Sequence, residues 1–393
     1  MNRMQYNFDE IIDRARTDSV KLEKLKSLYG HDDLIPLWVA DTDFKSPPAI
    51  IEALQRRVEH GIFGYTVPPE NYLPAIMGWL QRRHDWEVKK EFIHFVPGVV
   101  KGIAFAIDAF TDKGDNIIIQ PPVYHPFRLV PRALERTVVN NPLILEDGRY
   151  RMDLDGLRDI LSQQACKMLI LCSPHNPGGR VWDAGELREL AEICYDNGVM
   201  VISDEIHADM AFSGFRHIPF ATVSEKAAEI SLTLMAPSKT FNIAGIVSSY
   251  AIIPNQKIRD QYLGYLEPRE LTQGTIFAYT ATTAAYEECD DWFRQMIDYL
   301  EGNIHYVNSY LKENIPQIKA VVPEASFLVW LDCRALHLSQ PELVRFFVEK
   351  AHLALNDGTM FGQGGEGFMR LNVGTSRLVL EKALNNLKNA LNG

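Results

Sequence analysis

The middle of the chain alternates short apolar runs with amphipathic stretches. Apolar runs at residues 116–119, 167–172, 199–203, 230–235 and 248–253 are too short for independent helices and are bounded by Pro, Gly, Asp or Asn, which predicts buried strands. Between the second and third of these, Leu187, Leu190, Ala191 and Cys194 recur at helical spacing. Asp183 with Glu186 three residues on predicts the start of that helix, and Gly198 its end. Strand, helix, strand in this rhythm predicts an α/β fold with a largely parallel sheet covered on both faces.

After about residue 285 the texture changes. A helix over 291–314, a strand at 326–331, a helix over 341–352, a strand at 368–373 and a last helix predict a smaller α+β domain. The first 45 residues are too few to form a core alone and are expected to pack with it. The expected division is a large domain over 46–285 and a small domain made of 1–45 together with 286–393.

Composition narrows the function classes. A chain of 393 residues, 46% hydrophobic, can bury a core without metal or disulfides. Lys and Arg number 40 against 51 Asp and Glu, a net charge of −11 that repels phosphate backbones and anionic lipid. Neither nucleic acid nor a membrane is an expected partner, and no apolar run approaches the roughly 18 residues of a membrane span. The first twenty residues lack the apolar core of a secretion signal. The five cysteines (Cys166, Cys172, Cys194, Cys289, Cys333) are odd in number and contain no CxxC, the pattern of reduced thiols in a cytoplasmic protein.

Two motif matches carry little. Gly362, Gly364 and Gly367 spell GxGxxG, but the segment runs into a predicted strand where a dinucleotide site needs a helix. His207 and Asp209 are two potential ligands, too few for a metal site, and no metal is expected. The informative features are three polar clusters that each follow an apolar run: SPHNPGG at 173–179, SDEIHAD at 203–209 and APSKTFN at 236–242. In open α/β sheets ligands bind outside the carboxyl ends of the strands, so the three clusters should meet in one crevice. A lysine there can form a Schiff base with a carbonyl cofactor. A buried carboxylate can hold a pyridine nitrogen protonated, and an amide can bond a phenolic oxygen. Lys239, Asp204 and Asn176 together meet the needs of pyridoxal phosphate. Singly, each also has an ordinary structural reading as a surface lysine, a helix cap and a turn residue.

With their spacing, these clusters resemble the fold-type I pyridoxal-phosphate enzymes of the class I/II aminotransferase superfamily, over essentially the whole chain. The resemblance implies a large cofactor-binding domain with a mostly parallel, seven-stranded sheet of the aspartate aminotransferase kind. It implies that Lys239 carries pyridoxal 5'-phosphate, Asp204 faces the pyridinium and Asn176 bonds the phenolate. Gly98, Val99 and Val100 would offer backbone N–H groups at a helix start to the phosphate. Ser238 would donate to the same phosphate, and Tyr124 would stack on the ring. Many members carry an Arg eight residues after the lysine; here that residue is Val247. Tyr65 would reach the phosphate and substrate from a neighbouring subunit, implying a homodimer with sites at its interface. Arg370 would bind the substrate carboxylate as a two-pronged fork, a task for which Lys is a poor substitute, beside Asn176. His207 stands where many relatives have Tyr; a partner to the ring or to Asp204, and a satisfied buried histidine, are both open readings.

Within the superfamily, WVADTDF at 38–44, FGYT at 63–66, PVYHPF at 122–127 and SDEIHAD resemble the MalY/PatB-type cystathionine β-lyases, or C–S lyases. That implies β-elimination of cysteine S-conjugates, above all of L-cystathionine to homocysteine, pyruvate and ammonia. The superfamily also leaves room for an aminotransferase acting on an L-amino acid and a 2-oxo acid, and for a regulator acting by protein binding.

Overall fold

The apolar runs form strands in the computed structural model, which describes residues 4–392; residues 1–3 and 393 of the expected small domain lie outside the described residues. Seven strands make the main sheet: β1 (Ile93–Val96), β2 (Asn116–Ile119), β3 (Thr137–Asn140), β4 (Met168–Cys172), β5 (Met200–Asp204), β6 (Ser231–Met235) and β7 (Ser249–Ile252). Their spatial order is β1-β7-β6-β5-β4-β2-β3. β3, β2, β4, β5 and β6 run parallel, whereas β7 is antiparallel to both β6 and β1. The segment from β6 to β7 holds only a short 3-10 turn (Ala244–Ile246) and no crossover helix, so the chain returns antiparallel.

Both faces of this sheet are covered, and the period of two shows how. Met168, Ile170 and Cys172 of β4 pack with Val99, Ile103 and Ile107, while Leu169 and Leu171 pack on the other side with Leu187, Leu190 and Cys194. Helices α1 (Pro48–Glu59) and α2 (Tyr72–His84) join a separate buried cluster with Phe95 and Tyr250, whereas α3 (Val99–Phe110) and α4 (Ala184–Asp196) lie against opposite faces of β4. Asp183 caps α4 through the N–H groups of Gly185 and Glu186 in a reciprocal capping box, as its spacing predicts.

The later part of the chain holds α5 (Ile276–Glu288), the long α6 (Asp290–Asn314) and α7 (Arg377–Asn392). With them is an antiparallel sheet of β8 (Lys319–Val321), β9 (Leu328–Asp332), β10 (Asn356–Asp357) and β11 (Phe368–Asn372), in the order β8-β9-β11-β10. β9 begins two residues later than its apolar run, because Ser326 turns into the left-handed region (φ 76°) and donates its N–H to Met210 instead. The helix predicted over 341–352 is α-helical only for Gln340–Arg345 and then widens to a π turn at Phe346–Lys350. The wider turn lets consecutive Phe347 and Val348 enter two different buried clusters. The N-terminal segment joins this part: Ile35 and Pro36 pair with Leu353 and Ala354, and Leu25 and Leu34 pack on Val348.

The two sheets are joined at Gly179 and Glu324. Gly179 (φ 65°) accepts hydrogen bonds from the N–H groups of Glu324 and Ala325 at 2.8 and 3.1 Å. The buried Glu324 carboxylate meets Arg180 at 2.8 Å and Arg149 at 2.6 Å. A Cβ on Gly179 would lie 2.2 Å from Cβ of Pro323, whereas Gly198, with the same φ of 65°, has open space around it. Gly198→Ala is expected to cost about 1–2 kcal/mol for the backbone alone. Gly179→Ala should cost at least about 2 kcal/mol more through overpacking. Urea midpoints of the two variants separate the two contributions, and equal losses would show that the junction yields freely.

Candidate active site

The carboxyl ends of β4, β5 and β6 open on one cleft of about 250 Å³. Its wall brings together Lys239, Asp204, Asn176, Tyr124, Ser238, His207 and the Gly98–Val99–Val100 turn. Arg370 lies immediately behind Asn176, whose Oδ1 accepts from Arg370 Nη1 at 3.0 Å. Tyr65 is the one predicted residue that this chain places elsewhere: it is fully exposed, beside residues 273–277.

Each group is placed by the strand it follows. Asp204 is the last residue of β5 and buried; its Oδ1 accepts from the Ile206 N–H at 3.1 Å. Its other oxygen has no hydrogen bond among the described residues. Burial pushes the Asp204 carboxyl up to about 7, with the Ile206 N–H and the Lys239 charge pulling the other way. Lys239 follows β6 and donates from Nζ to the carbonyl of Ala40 at 2.6 Å. Burial, with the Arg370 charge nearby, lowers the Lys239 ammonium from 10.5 to about 8. Burial likewise lowers His207 to about 3, with Lys239 and Arg370 adding to the effect, so its imidazole is neutral. Its Nδ1 is buried with no hydrogen-bond partner among the described residues.

At the opposite wall, Gly98 (φ 107°) turns the chain into α3, and no side chain caps that helix. The N–H groups of the first turn are therefore open to an anion at the positive end of the helix dipole. Gly98 itself is fixed by its N–H, which donates to Ser249 Oγ on β7 at 2.9 Å. Val247, left-handed at φ 58°, puts an apolar side chain beside Gly98.

Arg370, in the middle of β11, is buried and held on three sides. Nη1 reaches Asn176, and Nη2 donates to the Trp38 carbonyl at 3.0 Å and to Asn356 Oδ1 at 2.6 Å, while Nε has no partner. Burial brings the guanidinium down to about 10, still charged at neutral pH. The Ala40 and Trp38 carbonyls, Asn356 and Ser249 are contributors that residue patterns do not single out. Residues 38–44 carry a family signal only, and Asn356 is found through its register opposite Arg370, a long-range fact. Gly362, Gly364 and Gly367 all have positive φ in the turns before β11, leading into a strand as expected. Among the described residues no group of three or more His, Cys, Asp or Glu is placed to hold a metal ion, and no helix is long and apolar enough to cross a membrane.

This donor set fits a flat, phosphorylated pyridine aldehyde. It offers an amine that loses its proton easily, a carboxylate with a free oxygen, a neutral imidazole, a phenol and an uncapped helix start.

Residues 32–387 match the family described as Aminotransferase class I and II, and the chain belongs to that family. Among curated proteins it is similar to cystathionine beta-lyase PatB of Bacillus subtilis, 44% identical over 385 residues that span 98% of this chain and 100% of the relative. Among solved structures it is similar to cystalysin from Treponema denticola, which contains a pyridoxal 5'-phosphate cofactor (TM-score 0.96, 35% identity, 99% of each chain). It is also similar to the PLP-bound C–S lyase of Staphylococcus hominis (TM-score 0.91, 34% identity, 99% of this chain and 98% of that one).

The lowered Lys239 ammonium gives a pH prediction. The neutral amine is the reactive form, so it accumulates above about 8 in the folded chain, not above 10.5. Trapping of an added aldehyde by borohydride should rise with pH through 8 and then level off. A rise delayed to pH 10 would show that Lys239 is not the reacting group.

Proposed function

We propose that this protein is a pyridoxal-phosphate-dependent carbon–sulfur lyase that eliminates the Cβ thiol of cysteine S-conjugates, with L-cystathionine giving homocysteine, pyruvate and ammonia. The observation that carries the reading is the single cleft joining Lys239, Asp204 and Asn176, with Arg370 behind it. The lyase names of the reported relatives favour elimination over transamination.

Pyridoxal phosphate, when bound, supplies an electron sink conjugated to the substrate Cα. Lys239 would hold the cofactor through Nζ, and the same Nζ, as a free amine, would accept the substrate's α proton. Asp204 would keep the proton at the ring nitrogen by presenting its unbonded oxygen. Asn176 and His207 would hold the phenolic oxygen, and Tyr124 would stack on the ring. Ser238 and the N–H groups of Val99 and Val100 would take the phosphate, with Gly98, whose own N–H is bonded to Ser249 Oγ, making the turn that exposes them. Arg370, with Asn176 and Asn356 holding its fork, binds the substrate carboxylate.

The same reading takes the protein as a cytoplasmic homodimer. Tyr65 sits on a stretch where Ile62, Phe63 and Val67 are also exposed, a surface suited to a second copy, whose cleft would receive the tyrosine. All five cysteines are free and buried, in keeping with a reducing compartment. Residues 46–285, which contain the main sheet, are read as the cofactor domain, and 1–45 with 286–393 as the small domain.

Elimination needs no second substrate, whereas a transaminase stalls after one half-reaction without a 2-oxo acid. Purified enzyme with L-cystathionine alone is expected to release pyruvate and homocysteine over many turnovers. Turnover that stops near one equivalent and resumes on adding a 2-oxo acid would establish the aminotransferase instead. Asp204→Asn keeps the shape but removes the charge, and should lower turnover by about a hundredfold or more. Dialysis titration should show weaker cofactor binding in the same variant.

A further inference from the structure

Behind the cleft, on the side away from the cavity, the residue following each of the two central groups enters a buried polar lattice. Glu205, next to Asp204, accepts from Ser203 Oγ at 2.8 Å, from the Phe220 N–H at 2.9 Å and from His217 Nε2 at 2.7 Å. Thr240, next to Lys239, donates from Oγ1 to Asp209 Oδ2 at 2.8 Å. Asp209 Oδ1 also accepts from Trp79 Nε1 and His84 Nε2, both at 2.9 Å and both on α2. The two halves meet where the His84 and His217 rings cross edge to face at 5.5 Å. Neither Asp209 nor Thr240 lines the cleft.

Two buried carboxylates with no Lys or Arg hydrogen-bonded to them among the described residues are an expensive way to fill this space. Apolar side chains of similar volume would pack there without desolvating a charge. Burial raises the Asp209 carboxyl, and the His84, Thr240 and Trp79 donors more than reverse that, so it stays ionised. Its three bonds tie three separate elements: the turn after β5, helix α2 and the loop that carries Lys239.

We propose that Asp209 and Thr240 are positioning residues, a strut that fixes the Lys239 loop at a set distance from the β5 end bearing Asp204. Lys239 has a flexible stem, and the Thr240 hydroxyl, one peptide away, is the nearest side-chain anchor of its main chain to a neighbouring element. The strut acts on where Nζ can reach, not on substrate. It rests on the reading of Lys239 and Asp204 as the groups that hold the cofactor.

Thr240→Val keeps the volume and removes the one donor. In the cofactor-loaded enzyme it is expected to weaken pyridoxal phosphate binding roughly tenfold by dialysis titration. The pH midpoint of the bound cofactor's visible absorbance should shift by about half a unit or more. Thr240→Ser, which restores the hydroxyl, should return both values to those of the native enzyme. Asp209→Asn should move both in the same direction. A fall in melting temperature with affinity and midpoint unmoved would overturn the strut, as would failure of Thr240→Ser to rescue. Borohydride trapping and peptide mapping of the native enzyme separate this from the site itself. A label on another lysine sinks the site reading, whereas a label on Lys239 with an unmoved midpoint sinks only the strut. Neither readout depends on which amino acid the enzyme turns over.

Discussion

The cleft depends on a strip of irregular main chain, residues 37–44, that is held by two asparagines. Asn242, three residues after Lys239, donates from Nδ2 to the carbonyls of Thr42 and Phe44 and accepts from the Thr42 N–H. Asn372, two residues after Arg370, donates to the carbonyls of Val39 and Asp41 at 2.5 and 2.7 Å. Partly buried backbone outside helix and sheet must find such partners, and here both come from next to a functional residue. The strip then supplies the Ala40 carbonyl to Lys239 and the Trp38 carbonyl to Arg370. Its own acids, Asp41 and Asp43, are bridged by Arg14 at 2.7 Å each, and Asp43 also pairs with the buried Lys21. The distance between the main sheet and Arg370 is thus fixed by a segment that belongs to neither sheet.

Electrostatically the cleft is a set of groups displaced toward neutrality. Desolvation raises Asp204 and lowers Lys239, His207 and Arg370, and only the arginine keeps its charge securely near pH 7. A cationic ring nitrogen beside Asp204 would return that carboxylate to its charged state, and an imine at Nζ would use the amine in the form burial favours. The arrangement is therefore incomplete in charge as well as in hydrogen bonds. Val247 sharpens the point, because it sets an apolar side chain, not a cation, beside Gly98 and the uncapped start of α3.

Much of this was legible in the residues, and the boundary is physical. Apolar runs located five of the seven strands of the main sheet to within a residue or two, since strands covered on both faces need apolar side chains on both; the two edge strands, β1 and the half-exposed β3, are not among those runs. The same runs are silent about partners. Nothing in residues 248–253 marks β7 as antiparallel, nor does anything near Asn356 announce its place opposite Arg370. The meeting of Lys239, Asp204 and Asn176 was readable because Asp204 ends a strand and the other two follow strands of a parallel sheet, where topology alone brings them together. Asp209 stands in the same motif as Asp204, where the local pattern suggests only a metal ligand. Its actual partners, Trp79, His84 and Thr240, come from parts of the chain that no local pattern connects.

The pairing of the Trp38 carbonyl with Arg370 spans 332 residues of sequence. A chain emerging from the ribosome at about 5–20 residues per second exposes its N-terminal strip on the order of tens of seconds before β11 follows. Late in that interval, once β7 has emerged, the lysine loop, the β5 carboxylate and the helix start can already sit at the ends of their strands, which belong to one sheet. The strip has half of its partners. Completion of the cleft consequently belongs to the end of synthesis, and a chain truncated before Asn372 would carry the reactive lysine without the frame that confines it.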